Sequence, residues 1–347
     1  MQASSISVIP PGTGGVRDYA SMLADQLGAP VRELTPQTDT REWSGDMLLL
    51  HFSGYGFQKR GVPTWLLPEI KRLRSRFKVF GVVFHELYAS GPPWSSAFWL
   101  SGIQRRIARD LLEQADFWLT NREMAAQWLR SQNASAPHRV MPVFSNVGEP
   151  EVLDNEREAS IVVFGSEALR LQVYGFGDGE IFRFAKRHQL AIHDIGKPMQ
   201  DATMAASLAE ASVIRHGMLP AEQVSQALAT ARFGALFYGA DYVGKSGIFA
   251  AYAAHGACPI LLGDEMGAYD GLQPNVHYAA GFGALDDTRG LDPWLIGRAA
   301  RRWYEPHRIA AHSTVLQTLC NEARAGGTPS PHPTQSGTAV RSTKVLQ

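Results

Sequence analysis

Apolar residues along the 347-residue chain fall into short unbroken runs, separated by stretches of helical period. The runs read ISVIP (6–10), DMLLLHF (46–52), FKVFGVVFH (77–85), DFWLT (116–120) and RVMPVF (139–144). An irregular acidic segment, NVGEPEVLDNEREA, interrupts them. A second series follows: SIVVFG (160–165), LAIHDIG (190–196), ASVIRHG (211–217), FGALFY (233–238) and CPILLG (258–263). Continuous apolar, β-branched runs predict strands of parallel sheets buried on both faces. The stretches between them, such as VRDYASMLADQL and AEQVSQALATA, predict crossover helices. Two series predict two α/β domains, 1–150 and 151–291. Residues 292–324 read as long helices, and the apolar-poor tail 325–347 is expected to be disordered.

Composition changes this picture little. The chain is 45% hydrophobic and 19% charged with zero formal net charge, so no global field recruits nucleic acid. Basic residues bunch locally, at 71–78 and 104–109. Two cysteines, Cys258 and Cys320, form neither a disulfide framework nor a metal spacing, which fits a reducing compartment. The start shows no signal-peptide pattern and no apolar run spans a bilayer. A cytoplasmic protein is expected.

In parallel sheets, ligands bind beyond the carboxyl ends of strands, where glycine-rich loops enter helices. The first such junction is PPGTGGVRDYA. Gly12, Gly14 and Gly15 permit a tight turn and close approach to a ligand, and Arg17 lies in the first helical turn. A dinucleotide fingerprint needs glycine where Arg17 stands, although Glu33 falls where a ribose-binding acid would sit. A plain tight turn explains the glycines equally well. The second junction is VVFHELYASGPPW. His85 and Glu86 end a buried strand, but Ala89 breaks the zinc pattern H-E-x-x-H. His85 either hydrogen-bonds a substrate or is satisfied within its loop.

The third junction, residues 239–246, reads G-x-x-x-x-G-K-S, the P-loop pattern, and CPILLGDE supplies Asp264 and Glu265 for a magnesium ion. A P-loop normally follows the first strand of its domain, and this one follows the fourth of the second series. Gly244, Lys245, Ser246 and Gly247 suit an anion under any nucleotide reading; the plainer alternative is a helix start with a solvent-facing lysine. The segment 94–114 adds Trp99, Ile103, Ile107 and Leu111 at helical spacing beside Arg105, Arg106 and Arg109. Such a helix either packs its stripe inward or, with 71–78, rests on an anionic membrane.

Taken in order, residues 5–312 resemble glycosyltransferases of the GT-B fold, in particular retaining family 4. GGVRDYA is similar to the family's first loop, FGVVFHELY to its strand ending in a histidine and an acid, and LLEQADFWLTNREMAAQWL to its following strand and helix. VMPVFSNVGEPE resembles the interdomain segment, and HGMLPAEQVSQALATARFGALFY the helix and strand before the donor loop. The resemblance implies α/β architecture with two Rossmann-like parallel-sheet domains facing a cleft. It also implies sugar transfer from a nucleotide-diphosphate donor with retention, without a metal or other cofactor. The acceptor would be a glycan or lipid-linked saccharide of surface polysaccharide biosynthesis, reached at the inner face of the membrane.

On this resemblance His85 and Glu86 are catalytic. Gly14, Gly15, Arg170, Lys197, Gly244, Lys245, Ser246 and Gly247 bind the donor. Arg17, Tyr55, Lys59 and Arg60 meet the acceptor. The chain departs from the family at its two donor-site glutamates, which fall on Val243 and Ala251. The family's arginine clamp falls on Ser166, so Arg170, Lys197 and above all Lys245 are expected to compensate. Three other readings stay open: a P-loop kinase or NTPase, a sugar-nucleotide epimerase, and a sugar-nucleotide binding protein without turnover.

Overall fold

A computed structural model of the chain describes residues 4–89, 91–132, 135–153, 156–286 and 290–325. Two six-stranded parallel sheets form its frame. The first contains β1 (Ser5–Ile9), β2 (Val31–Glu33), β3 (Gly45–Ser53), β4 (Phe77–Glu86), β5 (Phe117–Thr120) and β6 (His138–Val140), in the order β2-β1-β3-β4-β5-β6. The second contains β7 (Glu158–Phe164), β8 (Ala191–Ile195), β9 (Ile214–Gly217), β10 (Ala231–Phe237), β11 (Cys258–Leu262) and β12 (Ala279–Ala280), in the order β12-β11-β10-β7-β8-β9.

Every expected strand is present. β2 and β12 are additional, too short to leave an apolar run. β6 ends at Val140 rather than 144, because Pro142 cannot donate to a sheet ladder and the chain leaves the sheet there. Strand order reverses between β1 and β3 and again between β7 and β10. Crevices open at the carboxyl ends of such switch points.

Helices cover the sheets. The helix Gly247–His255 is buried from Phe249 through His255. A helix apolar all round belongs in a core. Its Tyr252 ring leaves no room for a side chain at Gly234, whose Cβ would lie 2.2 Å from Tyr252 Cδ1. The helix Pro293–Tyr304 packs on this core helix and β11. The chain then crosses back. The helix Ile309–Ala325 packs on the first sheet's Gly15–Leu27 helix and on β4 and β5, burying Leu316 and Leu319. Of the tail expected to be disordered, Ala325 ends this helix and 326–347 lie outside the described residues.

The apolar stripe of the helix Ser96–Gln114 divides. Ile107 and Leu111 are buried as an inward-packing stripe requires, whereas Trp99 is 72% exposed and Ile103 46%. Among the described residues no helix is long and apolar enough to cross a membrane.

Candidate active site

Beyond β10, residues Ala240–Lys245 coil into a short 3-10 helix and Ser246 caps the helix Gly247–His255, its hydroxyl accepting the Phe249 N–H at 3.1 Å. The turn presses against the first sheet's loops: the Val143 N–H donates to the Gly244 carbonyl at 2.9 Å. Gly244 permits this approach, because a Cβ there would lie 2.7 Å from Asp270 Oδ2 and 3.0 Å from the Asn121 carbonyl. Lys245 then leaves its own sheet. Its Nζ stands 3.6 Å from Glu86 Oε1, with the side chain only 18% exposed.

Successive residues of β4 point to opposite faces, so His85 is buried while Glu86 stays half open. The Ser53 hydroxyl at the end of β3 donates to Glu86 Oε2 at 2.8 Å. Behind them His85 Nε2 lies 3.2 Å from His51 Nδ1. Burial pushes His51 down to about 3. Burial, then the proximity of His51 and Lys245, holds His85 well below its ordinary value. Both rings are therefore neutral near pH 7, and His85 offers hydrogen bonds without charge. Burial also lowers Lys245, with Glu86 opposing and the like charge of Arg122 adding to the fall.

Two cavities meet at this point. One, of about 340 Å³, runs between the starts of two helices, at Gly15 and Val16 on one side and Gly247 and Ile248 on the other. The other, of about 530 Å³, opens into the first sheet's loops beside Tyr55, Tyr88, Gln104 and Arg105. His85, Glu86, Asn121 and Lys245 line both.

No protein-family model matches the sequence, and no curated protein does. Solved structures match over nearly the whole chain. AviGT4, a glycosyltransferase involved in avilamycin A biosynthesis, shares 14% identity over 94% of this chain and 100% of its own, with a TM-score of 0.52. Anabaena HepE in complex with UDP and glucose shares 11% over 92% of this chain and 98% of its own, at 0.55. An α-glucosyltransferase bound to UDP and an HMU-containing 13-mer DNA shares 11% over 92% and 100%, at 0.54. The fold is GT-B.

Within the GT-B frame the expected site residues separate. His85, Glu86 and Lys245 converge, Gly15 and Gly247 line the smaller cavity, and Tyr55 lines the larger. Gly14 precedes the first helix at φ 134, a conformation that favours glycine. Ser246 is 5% exposed and its oxygen is spent on the cap. A P-loop would offer that hydroxyl to a magnesium ion and that lysine to phosphates in one nest, so the P-loop reading is not favoured.

Other expectations need correction. Arg170 does not face the cleft. It is fully buried, pairs with Asp194 Oδ2 at 2.5 Å and donates to the carbonyls of Gly165 and Lys197. The side chain of Lys197 is exposed and lines neither cavity. Arg17 is bound to Glu33 and to the Gly12 carbonyl, so it braces its own loop, and it lines neither cavity. Lys59 and Arg60 lie outside the larger cavity, and Arg60 contributes its carbonyl to Gln104 Nε2 at 2.9 Å. Val243 and Ala251, where the resemblance places glutamates, are buried.

Sequence reasoning missed His51, Asn121, Arg122 and Tyr242. Arg122 lies 3.7 Å over the Tyr242 ring and donates to the Asp241 carbonyl at 3.1 Å. The one polar residue interrupting the apolar run MLLLHF was the available signal for His51.

Proposed function

We propose that this protein is a glycosyltransferase that moves a sugar from a nucleotide-diphosphate sugar in the smaller cavity to an acceptor in the larger, with retention at the anomeric carbon. One observation carries the reading: the Lys245–Glu86 pair, drawn from two different sheets, is the wall common to both cavities. A buried ammonium with a single carboxylate partner is prepared to exchange it for a diphosphate, and the helix start at Gly247 adds fixed N–H groups.

In the transfer, the acceptor oxygen bonds to the anomeric carbon on the face from which the diphosphate departs. The carbon–phosphate-oxygen bond breaks and its electron pair leaves with the diphosphate, which takes up the acceptor's proton. Lys245 stabilises the charge that develops on the leaving oxygen. Glu86, released from Lys245, orients the acceptor hydroxyl, and neutral His85 hydrogen-bonds the transferred sugar. Lys245 takes the place of the missing arginine clamp, and the reaction is expected to survive chelation.

The acceptor is a glycan or lipid-linked saccharide of the kind built into surface polysaccharides. Support comes from Trp94, Phe98, Trp99 and Ile103, all exposed along the same segment as Arg105, Arg106 and Arg109, of which Arg105 lines the larger cavity. Such a surface suits peripheral contact with an anionic bilayer.

The test is a panel of nucleotide-sugars, ATP and GTP, with and without Mg²⁺, read by thermal shift and by release of free nucleotide. Slow hydrolysis of one nucleotide-sugar without Mg²⁺, lost in Lys245→Ala, is expected. Stabilisation by a donor without turnover, even with acceptors added, would mark a binding protein. Phosphate release from ATP or GTP only with Mg²⁺ would overturn the reading.

A further inference from the structure

The charges of the two cavities differ in a way that bears on the acceptor. Lys245 and Glu86 are common to both and offset each other. Beyond that pair, the smaller cavity is lined by one charged residue, Asp18. The larger is lined by Arg105 and Arg122 and by no further carboxylate. Arg105 rests 4.2 Å over the Tyr88 ring, and no salt bridge to it is found among the described residues. Arg122 has its ring, one carbonyl and a loose ion pair with the Asp241 carboxylate at 4.0 Å, too long for a hydrogen bond and open to a closer anion.

We propose that the acceptor carries a phosphate or diphosphate ester, held in the larger cavity by Arg105 and Arg122. This rests on the transferase reading and adds the acceptor's charge to it. Two planar guanidinium forks, each set over a tyrosine ring, carry the paired N–H donors that phosphate oxygens match. Phe84, Leu87 and Met124 supply low-dielectric walls that strengthen the field between them. A phosphate ester brings about 1.5 to 2 negative charges and three acceptor oxygens, enough to engage both forks at once, where a single carboxylate offers two oxygens and one charge. The source of the ester is either a soluble sugar phosphate or a lipid headgroup reached past Trp99 and Ile103.

The test uses the full chain, with glucose 6-phosphate, glucose and glucuronic acid titrated in by calorimetry and vesicles containing phosphatidic acid in a sedimentation arm. The proteins are the wild type, Arg105→Gln and Arg105→Lys. Glucose 6-phosphate is expected to bind best, to weaken roughly tenfold or more in Arg105→Gln, and to recover in part in Arg105→Lys. Tight binding of glucose 6-phosphate in solution points to a soluble source. Binding confined to vesicles, and lost from them in Arg105→Gln, points to the lipid. Equal binding of glucose and glucose 6-phosphate, equal binding of glucuronic acid, or indifference to Arg105→Gln would overturn the proposal. Nucleotide-sugar hydrolysis without acceptor judges the transferase reading separately, because these titrations need no turnover.

Discussion

Arg170 and Lys245 stand at the same switch point of the second sheet, and both suit a diphosphate on sequence grounds. Arg170 is fully buried, its guanidinium closed off by Asp194 and two carbonyls, with the Tyr174 hydroxyl donating to Asp194 at 2.9 Å. Among the described residues Lys245 pairs with no carboxylate of its own sheet and reaches across to Glu86. The first sheet repeats the lesson, since Arg17 is taken up by Glu33 and the Gly12 carbonyl although its neighbours Gly15, Val16 and Asp18 line the smaller cavity. A basic residue at a cleft is available for chemistry when its own sheet leaves it without a partner. Proximity in sequence to a glycine-rich loop does not decide the matter.

The comparison breaks first at stability. Arg170→Ala leaves the Asp194 carboxylate buried and unpaired, which is expected to cost about 3–5 kcal/mol in urea unfolding. A variant as stable as the wild type would remove the contrast. Next comes activity. Lys245→Ala is expected to lower kcat/KM for the donor about 100-fold, near 2.7 kcal/mol of transition-state stabilisation, while unfolding shifts by less than about 1 kcal/mol. If stability falls as far as in Arg170→Ala, the lysine is structural as well.

Acidification sharpens the picture from another side, because His51 is buried with no charged partner. Its folded value, about 3, lies below that of the unfolded chain, so the unfolded state takes up the proton first as pH falls below 6.5. Between pH 6.5 and 5 this histidine should remove about 2 kcal/mol of stability, and His51→Gln should flatten that limb of the thermal-melting profile. The smallest effect is reserved for Arg17→Ala. Its pair with Glu33 is solvent-exposed, and unfolding should move by less than about 1 kcal/mol.

The sheets were legible because strands buried on both faces write long apolar runs, as in LLLHF and VFGVVF. β2 and β12 wrote none. At the site, Lys245 and Gly244 were legible from spacing, and His85 and Glu86 from their place at a strand end. The spacing alone also spelled a P-loop, and only the cap made by Ser246 and the contact with Glu86 separate the two. The burial of Arg170 was hidden because its partner lies 24 residues away, on the strand β8. Arg122 and Tyr242 were unreadable for the same reason, being brought together from loops of different sheets.

The return of the last helix to the first sheet means that the chain passes between the two lobes twice, once after β6 and again between Tyr304 and Ile309. Two tethers define a line where one would define only a point. Any rotation of one lobe against the other would have to run about that line, and it would break the contacts of Val143 with Gly244 and of Lys245 with Glu86 that now join them.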